Sequence, residues 1–112
     1  MAGSAAPEQL LGEKVDQRAD LYSLGAVAYF ALLGRPPFEG PTPDAILARQ
    51  TTDQLPPLHE SRADVPRELE AVLRRAVLSD PAGRYQSARE LHEALRKARG
   101  FTQRLVTFLR GE

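Results

Sequence analysis

The chain has 112 residues, which is enough for one domain with a single modest core. Its 15 basic and 15 acidic residues cancel, so no net charge favours binding to nucleic acid or to an anionic membrane. It has no cysteine, which excludes disulfides, thiolate catalysis and cysteine-ligated metal.

The first predicted helix covers residues 18–33, and its part from residue 24 onward is apolar on every face. That apolar run is about half the roughly 20 residues that a membrane span needs, so the pattern favours the centre of a core. We therefore predict that this helix is the most buried element, with core positions at Leu24, Val27, Ala28 and Ala31. Gly34 fits the helix C-cap, and the prolines that follow prevent continuation.

A second helix is predicted from Thr42 to about Gln50. Thr42 suits the N-cap, and Pro43 suits the first helical position. Residues 51–65 contain two adjacent prolines and show no clear hydrophobic period, which predicts a loop.

Two further helices follow. The third opens with Pro66 and carries one apolar stripe at helical spacing: Leu69, Val72, Leu73, Ala76 and Val77. The fourth opens with a capping box over residues 87–90 and should bury Ala88, Leu91, Ala94, Leu95 and Ala98. After Gly100 comes a shorter amphipathic stripe of Phe101, Leu105, Phe108 and Leu109. Since no segment alternates long enough to predict a strand, the fold class is all-α.

Three charged residues stand out by position. Asp20 lies at the entry to the most apolar helix, where it can interact with the first turn or accept hydrogen bonds from another segment. Glu8 and Arg84 lie near prolines in stiff backbone, and a bidentate pair between them would be a strong polar link between two loops. Most Glu and Arg side chains are solvated, so the residues alone leave the pairing open.

Four motifs together resemble a known family. They are Ala6-Pro7-Glu8, Asp20-Leu21-Tyr22-Ser23-Leu24-Gly25, Gly34-Arg35-Pro36-Pro37-Phe38 and Leu78-Ser79-Asp80-Pro81-Ala82-Gly83-Arg84-Tyr85. Their order and spacing are similar to the C-terminal part of the large lobe of eukaryotic-type Ser/Thr protein kinases, most of all the bacterial ones. The resemblance covers residues 3–99.

The resemblance implies an organisation and three structural residues. Residues 1–12 would be the end of an activation segment, residues 13–99 a partial large lobe and residues 100–112 a short amphipathic tail. Glu8 and Arg84 would form a buried bridge that anchors the activation segment, and Asp20 would hold the backbone of a catalytic loop. None of these roles is chemical, so we expect no catalytic, cofactor-binding or metal-binding residue.

The sequence also lacks what the family uses for chemistry. It contains no Gly-x-Gly-x-x-Gly, no His-Arg-Asp, no Asp-Phe-Gly and no asparagine. Phosphoryl transfer depends on residues that position the phosphates and Mg²⁺, so we expect this chain to be inactive, as in a pseudokinase. ATP and Mg²⁺ would belong to the complete family domain. His59 and His92 are isolated, which argues against a metal site.

The predicted function is therefore a fragment of a Ser/Thr kinase from a truncated, split or wrongly started gene. The alternative is a non-enzymatic helical interaction module, or one half of a split kinase. Its partner would be a protein or the other kinase half, with no nucleic acid and no membrane. We expect self-association through an exposed apolar face drawn from Tyr22, Ala26, Tyr29, Phe30 and Leu33. The start of the chain does not resemble a signal peptide, which favours the cytoplasm.

Overall fold

The computed structural model describes the backbone of residues 3–111 and the side chains of residues 3–100, 107 and 109–111. This part of the chain contains helices and no strand, which confirms the all-α class. The elements are α1 (Pro7–Leu10), α2 (Gln17–Leu33), α3 (Pro43–Thr51), α4 (Leu58–Ser61), α5 (Arg67–Ala76), a 3₁₀ turn (Pro81–Gly83) and α6 (Ala88–Leu109). Helix α5 lies between α2 and α6 and contacts both.

The ends of α2 and α3 follow from their capping residues. The Asp16 side chain accepts a hydrogen bond from the Arg18 amide at 2.9 Å, so α2 begins at Gln17, one residue earlier than predicted. Gly34 ends the helix with a φ of 85°, a conformation that glycine adopts without steric cost. Thr42 caps α3 as predicted, because its hydroxyl accepts a hydrogen bond from the Ala45 amide at 3.1 Å.

The buried face of α2 is opposite to the predicted one. Leu24 and Val27 are 57% and 51% exposed, Ala31 is exposed and Ala28 is only half-buried. The core positions are instead Ala19, Leu21, Tyr22, Gly25, Ala26 and Tyr29. Among the residues predicted to be exposed, Tyr22, Ala26 and Tyr29 are fully buried, Leu33 is half-buried and only Phe30 is exposed.

The two tyrosines explain this orientation. A helix that is apolar all round carries no amphipathic pattern, so its sequence alone does not select a face. Tyr22 and Tyr29 are seven residues apart, which places their large rings on one side of α2. Each ring is buried while its hydroxyl finds a polar partner, Gln50 for Tyr22 and the Pro56 carbonyl for Tyr29.

The segment of residues 51–65 is not entirely loop, because it contains the single-turn helix α4. Leu58 at the start of α4 is fully buried and packs with Tyr29, Val65 and Leu73. So short a helix has no hydrophobic period in the sequence, so the prediction of a loop was wrong at these residues. The predicted stripe of α5 is confirmed, since Val72, Leu73, Ala76 and Val77 are buried and Leu69 is half-buried. Pro66 is its N-cap rather than its first residue.

Helix α6 follows its predicted pattern with two differences. The Ser87 hydroxyl accepts a hydrogen bond from the Glu90 amide at 3.1 Å, but the Glu90 carboxylate accepts from the Gln86 amide, one residue before the position that a capping box uses. Leu91 and Ala98 are buried and Ala94 and Leu95 pack beside them, whereas Ala88 is exposed.

The C-terminal stripe belongs to the same helix. The backbone of α6 continues without a break through Gly100 to Leu109, so no turn separates residues 101–109 from the rest. The side chains of residues 101–106 and 108 lie outside the described residues, and with them most of the predicted stripe. Within the described part of the chain, no helix is long and apolar enough to cross a membrane.

Candidate functional site

The centre of the site is a buried ion pair between Glu8 in α1 and Arg84, which follows the 3₁₀ turn. Two hydrogen bonds join them, Nη1 to Oε2 at 2.7 Å and Nη2 to Oε1 at 2.8 Å. Arg84 is fully buried and Glu8 is 6% exposed. The structure thus brings together the two residues that the family resemblance paired, 76 positions apart in the chain. Bidentate geometry gives this contact both strength and a defined orientation.

Arg84 uses its remaining donors on backbone carbonyls. Its Nε donates to the Leu78 carbonyl at 2.7 Å, Nη1 to the Arg18 carbonyl at 3.3 Å and Nη2 to the Ser79 carbonyl at 3.0 Å. Since a guanidinium has five N–H groups, all of them are satisfied. A buried cation with every donor used joins α1, the start of α2 and its own loop at a single point.

Tyr22 covers one face of the guanidinium. The Arg84 Cζ atom lies 4.7 Å from the centroid of the Tyr22 ring. Such a cation–π contact is stronger where water is excluded, as it is here. Burial raises the pKa of the Tyr22 hydroxyl, so this group stays neutral.

The loop that carries Arg84 is itself held by hydrogen bonds. Asp80 caps the 3₁₀ turn by accepting from the Ala82 amide at 3.0 Å. Asp53, beyond the end of α3, accepts from the Ser79 amide at 2.8 Å. The side-chain amide of Gln86 donates to the Arg84 carbonyl at 2.7 Å. These hydrogen bonds therefore hold the backbone of the loop in the position from which the Arg84 guanidinium reaches Glu8.

The carboxylate of Glu8 is held in its charged form. The hydrogen bond from the Arg84 side chain lowers its pKa, and this effect outweighs the opposing effect of burial. Glu8 lies in the short helix α1, whose start is fixed by a hydrogen bond from the Ala6 amide to the Gln9 side chain at 2.9 Å. The N-cap residue Ala6 is therefore held in place at the start of α1.

Asp20 is not part of this cluster. It lies exposed in the first turn of α2, and no hydrogen bond to its carboxylate is found among the described residues. The capping of the helix belongs to Asp16, whose pKa is lowered by hydrogen bonds from the Arg18 side chain and amide. Sequence reasoning missed Asp16, although an Asp immediately before a helix is a common N-cap signal. That Asp20 holds a catalytic loop stays a prediction.

Gln50 was also missed as a site residue. It is fully buried, and its side-chain nitrogen lies 3.2 Å from the Gly3 carbonyl, 2.9 Å from the Ala5 carbonyl and 3.0 Å from the Tyr22 hydroxyl. A glutamine at the end of a short helix is normally solvated, so the sequence carried no local signal for this role.

A second buried carboxylate, Glu70 of α5, holds α4. Its Oε1 accepts hydrogen bonds from the His59 amide at 2.9 Å and contacts the His59 ring nitrogen at 3.1 Å, while Oε2 accepts from Arg74 at 3.2 Å. Burial alone would raise the pKa of Glu70, but the hydrogen bonds from His59 and Arg74 outweigh it and lower the pKa. The described residues hold no cluster of three or more metal-ligating side chains.

An apolar groove lies between α2 and α6 with α5 as its floor, and we call it the α2–α6 groove. It has a volume of about 390 Å³ and is lined by Leu24, Ala28, Leu69, Leu73, Leu91 and Leu95, among other residues. The exposed side chains of Leu24, Val27, Phe30 and Ala31 form what we call the outer face of α2.

The fold and the buried bridge together define a class of structure. The unit is all-helical, and the arginine of a later loop binds an Ala-Pro-Glu segment next to a central apolar helix. This arrangement corresponds to part of the large lobe of a protein kinase.

Comparison with known proteins agrees with this assignment. The chain is 44% identical over 89 residues to the serine/threonine-protein kinase PknB of Mycolicibacterium smegmatis, a match that covers 80% of this chain and 14% of that protein. It is 41% identical over 90 residues to the tyrosine-protein kinase MasK of Myxococcus xanthus, with 80% of this chain and 14% of that protein covered. A probable serine/threonine-protein kinase of Streptomyces coelicolor, SCO3848, is 39% identical over 85 residues, 76% of this chain and 13% of that protein.

A solved structure gives the same result. The twitchin kinase region from C. elegans superimposes with a TM-score of 0.70 at 27% identity, over 85% of this chain and 16% of that one. No protein-family model matches the chain. The chain is similar to eukaryotic-type Ser/Thr protein kinases at 37–44% identity, and its helical fold corresponds to the C-terminal part of the large lobe. It spans about 14% of the length of the curated relatives that it matches.

Proposed function

We propose that this chain is the part of a kinase large lobe that anchors the end of the activation segment, and that the 112-residue polypeptide by itself transfers no phosphate. The observation that carries this proposal is the Glu8–Arg84 bridge, which fixes the Ala-Pro-Glu segment to the lobe through two hydrogen bonds. The parent activity would be the ATP- and Mg²⁺-dependent phosphorylation of protein hydroxyls. The relatives are named for serine/threonine and for tyrosine, and we favour Ser/Thr because most of those we compared carry that name.

The inactivity of the polypeptide would follow from the residues that it lacks. Kinase catalysis is almost entirely the positioning of phosphates and metal ions. The sequence contains none of the motifs that do this, and the bridge residues are occupied with one another and with backbone carbonyls. The other two carboxylates of the kinase-like motifs are Asp20, which is exposed in the first turn of α2, and Asp80, which caps the 3₁₀ turn.

The experiment is a binding and transfer assay of the purified chain. Calorimetry with ATP and Mg²⁺ should show no saturable binding, and radiolabelled ATP should leave no phosphate on the chain or on a generic protein substrate above a blank without protein. The catalytic region of a bacterial kinase relative, assayed in parallel, is the positive control. Saturable binding or phosphate incorporation by the chain would refute the proposal of inactivity.

A second candidate function is docking to further kinase sequence, carried by the same or by a separate polypeptide. The α2–α6 groove and the outer face of α2 favour it, because a face this apolar needs a partner to be covered. The test is titration of the chain with a polypeptide that covers the preceding part of a relative's kinase domain. Leu24→Glu should abolish binding, whereas Ala71→Glu, an equal charge at an exposed position of α5, should not. Equal binding by both variants would contradict this use of the groove.

A further inference from the structure

We infer that Gln50 is a positioning residue for the segment before α1, and that it acts as a second anchor in addition to the Glu8–Arg84 bridge. The inference rests on the proposed function in one respect, namely that this segment is the end of an activation segment. Its physical content, the binding of the backbone of residues 3–5 by a side chain of α3, stands on the contacts alone.

The orientation of the Gln50 amide is fixed by its neighbours. Its nitrogen lies 3.2 Å from the Gly3 carbonyl oxygen and 2.9 Å from the Ala5 carbonyl oxygen. Carbonyl oxygens only accept hydrogen bonds, so the NH₂ group must face them and the amide oxygen must point away. That oxygen, Oε1, is buried with no hydrogen-bond partner among the described residues.

The unpaired Oε1 indicates that Gln50 contributes to the structure through its nitrogen rather than through its oxygen. A buried acceptor without a partner is unfavourable, and an apolar side chain of similar size would avoid this cost. What an apolar side chain would not supply is the two N–H donors, which are shared by the Gly3 and Ala5 carbonyls and the Tyr22 hydroxyl. Gly3 has a φ of 83°, a conformation that most other residues adopt only with strain, and it lies close to Phe38 in the turn before α3. The segment thus has a backbone conformation that brings Gly3 close to Phe38 and two of its carbonyls within hydrogen-bond distance of Gln50.

The two anchors meet at Tyr22. Its hydroxyl lies 3.0 Å from the Gln50 nitrogen and its ring covers the Arg84 guanidinium. Residues 3–5 are bound from α3, residue 8 is bound from the loop before α6, and α2 supports both through one side chain. Gln50 should therefore fix the approach of the segment to α1, whereas Arg84 fixes α1 itself.

The test compares amide hydrogen exchange in the chain and in Gln50→Met, which keeps the volume and removes the donors. Exchange at residues 4–6 should rise about tenfold, the factor that loss of one to two net hydrogen bonds corresponds to, while exchange at Val72 and Leu73 in α5 stays the same. Gln54→Met, at an exposed position four residues later, is the matched control and should change neither region.

Other variants separate this role from simple support of the core. Tyr22→Phe keeps the ring and should leave exchange at residues 4–6 near that of the parent chain. If Tyr22→Phe reproduces the Gln50→Met effect, if Gln50→Met accelerates exchange everywhere, or if it changes nothing, the inference is overturned. If Gln50→Met does not fold, NMR of the parent chain provides the test. Scalar couplings should be detected through the hydrogen bonds from the Gln50 side-chain nitrogen to the Gly3 and Ala5 carbonyl carbons. Their absence would also refute the inference. None of these outcomes depends on phosphotransfer assays, which test the proposed function separately.

Discussion

Gly25 of α2 lies directly against Ala76 of α5. A Cβ atom added at position 25 would lie 2.7 Å from the Cβ of Ala76 and 3.2 Å from a methyl carbon of Val77. Real Cβ atoms do not approach this closely, so the absence of a side chain at Gly25 sets the distance between the two helices. Because α5 also contacts α6, this spacing affects the position of α6 relative to α2 as well.

The first prediction is that Gly25→Ala destabilises the fold despite the better helix propensity of alanine. The added methyl group would force α2 and α5 apart, which typically costs about 1–3 kcal/mol. Gly100→Ala is the matched control, because position 100 lies in α6 and a Cβ atom added there would meet no side chain or backbone atom of the described residues within 4 Å. That substitution should stabilise the helix by about 0.5–1 kcal/mol. Chemical denaturation of both variants measures the difference, and a Gly25→Ala variant as stable as the parent would show that the helices can adjust.

The second prediction is that Arg84→Ala destabilises the chain by about 3–5 kcal/mol, since it leaves Glu8 buried without its partner. Arg84→Lys should lose a large part of this energy as well, because an ammonium does not reproduce the bidentate contact and the three carbonyl contacts. Arg96→Ala is the control, since its ion pair with Glu93 is exposed, and it should change stability by less than about 0.5 kcal/mol. If denaturation midpoints of Arg84→Ala and Arg96→Ala coincide, the bridge does not stabilise the fold.

The third prediction is that part of the stability is lost on acidification. The pKa of Glu8 is lowered in the folded chain, chiefly by the hydrogen bond from Arg84, whereas an unfolded Glu has a pKa of about 4.3. The unfolded state therefore binds a proton first as the pH falls, so the contribution of Glu8 is complete above about pH 4.3 and is lost as the pH falls through the lowered pKa.

Unfolding free energies measured from neutral to acidic pH test this third prediction. Glu70 also has a lowered pKa, so the informative quantity is the difference between the parent chain and Glu8→Gln. That difference should be largest at neutral pH and should shrink on acidification. A difference that is constant with pH would mean that the charge of Glu8 is not what stabilises the pair.

The fourth prediction compares two leucines whose roles differ in the structure. Leu24 is 57% exposed and Leu73 is 5% exposed. Leu73→Ala should cost about 2–5 kcal/mol, the range for buried leucines, whereas Leu24→Ala should stay within about 1 kcal/mol of the parent. Thermal unfolding followed by circular dichroism measures both. Equal losses would indicate that Leu24 is covered in solution.

The error about Leu24 shows where the sequence stopped being informative. The helices with one apolar stripe, α5 and α6, were oriented almost correctly, because their polar residues define the outer face. Helix α2 has no such contrast between its faces, so the apolar residues predict burial without saying which side. Its orientation depends on Tyr22 and Tyr29, whose hydroxyls need partners that lie 28 and 27 residues away.

In the candidate site, too, some contacts could be predicted from local sequence and others could not. Caps such as Thr42 and Gly34 were predicted because their chemistry is local to the helix end. The pairing of Glu8 with Arg84 came from the resemblance to a family, since nothing local connects two residues 76 positions apart. Gln50 had neither a local pattern nor a motif, and only the fold reveals that its side chain faces the Gly3 and Ala5 carbonyls.

The last prediction is that the isolated chain associates with itself. The outer face of α2 exposes Leu24 at 57%, Val27 at 51% and Phe30 at 38%, and it adjoins the apolar α2–α6 groove. Contiguous apolar surface of this kind favours association, because burying it removes it from water. We expect sedimentation velocity to show species larger than a monomer that grow with concentration, together with binding of a dye that reports exposed apolar surface. Leu24→Glu should reduce both signals, and Ala71→Glu, which adds the same charge on the exposed side of α5, should not. A monodisperse monomer with a sharp thermal transition and no dye binding would contradict the prediction. Equal effects of the two variants would mean that net charge, and not the outer face of α2, controls any association.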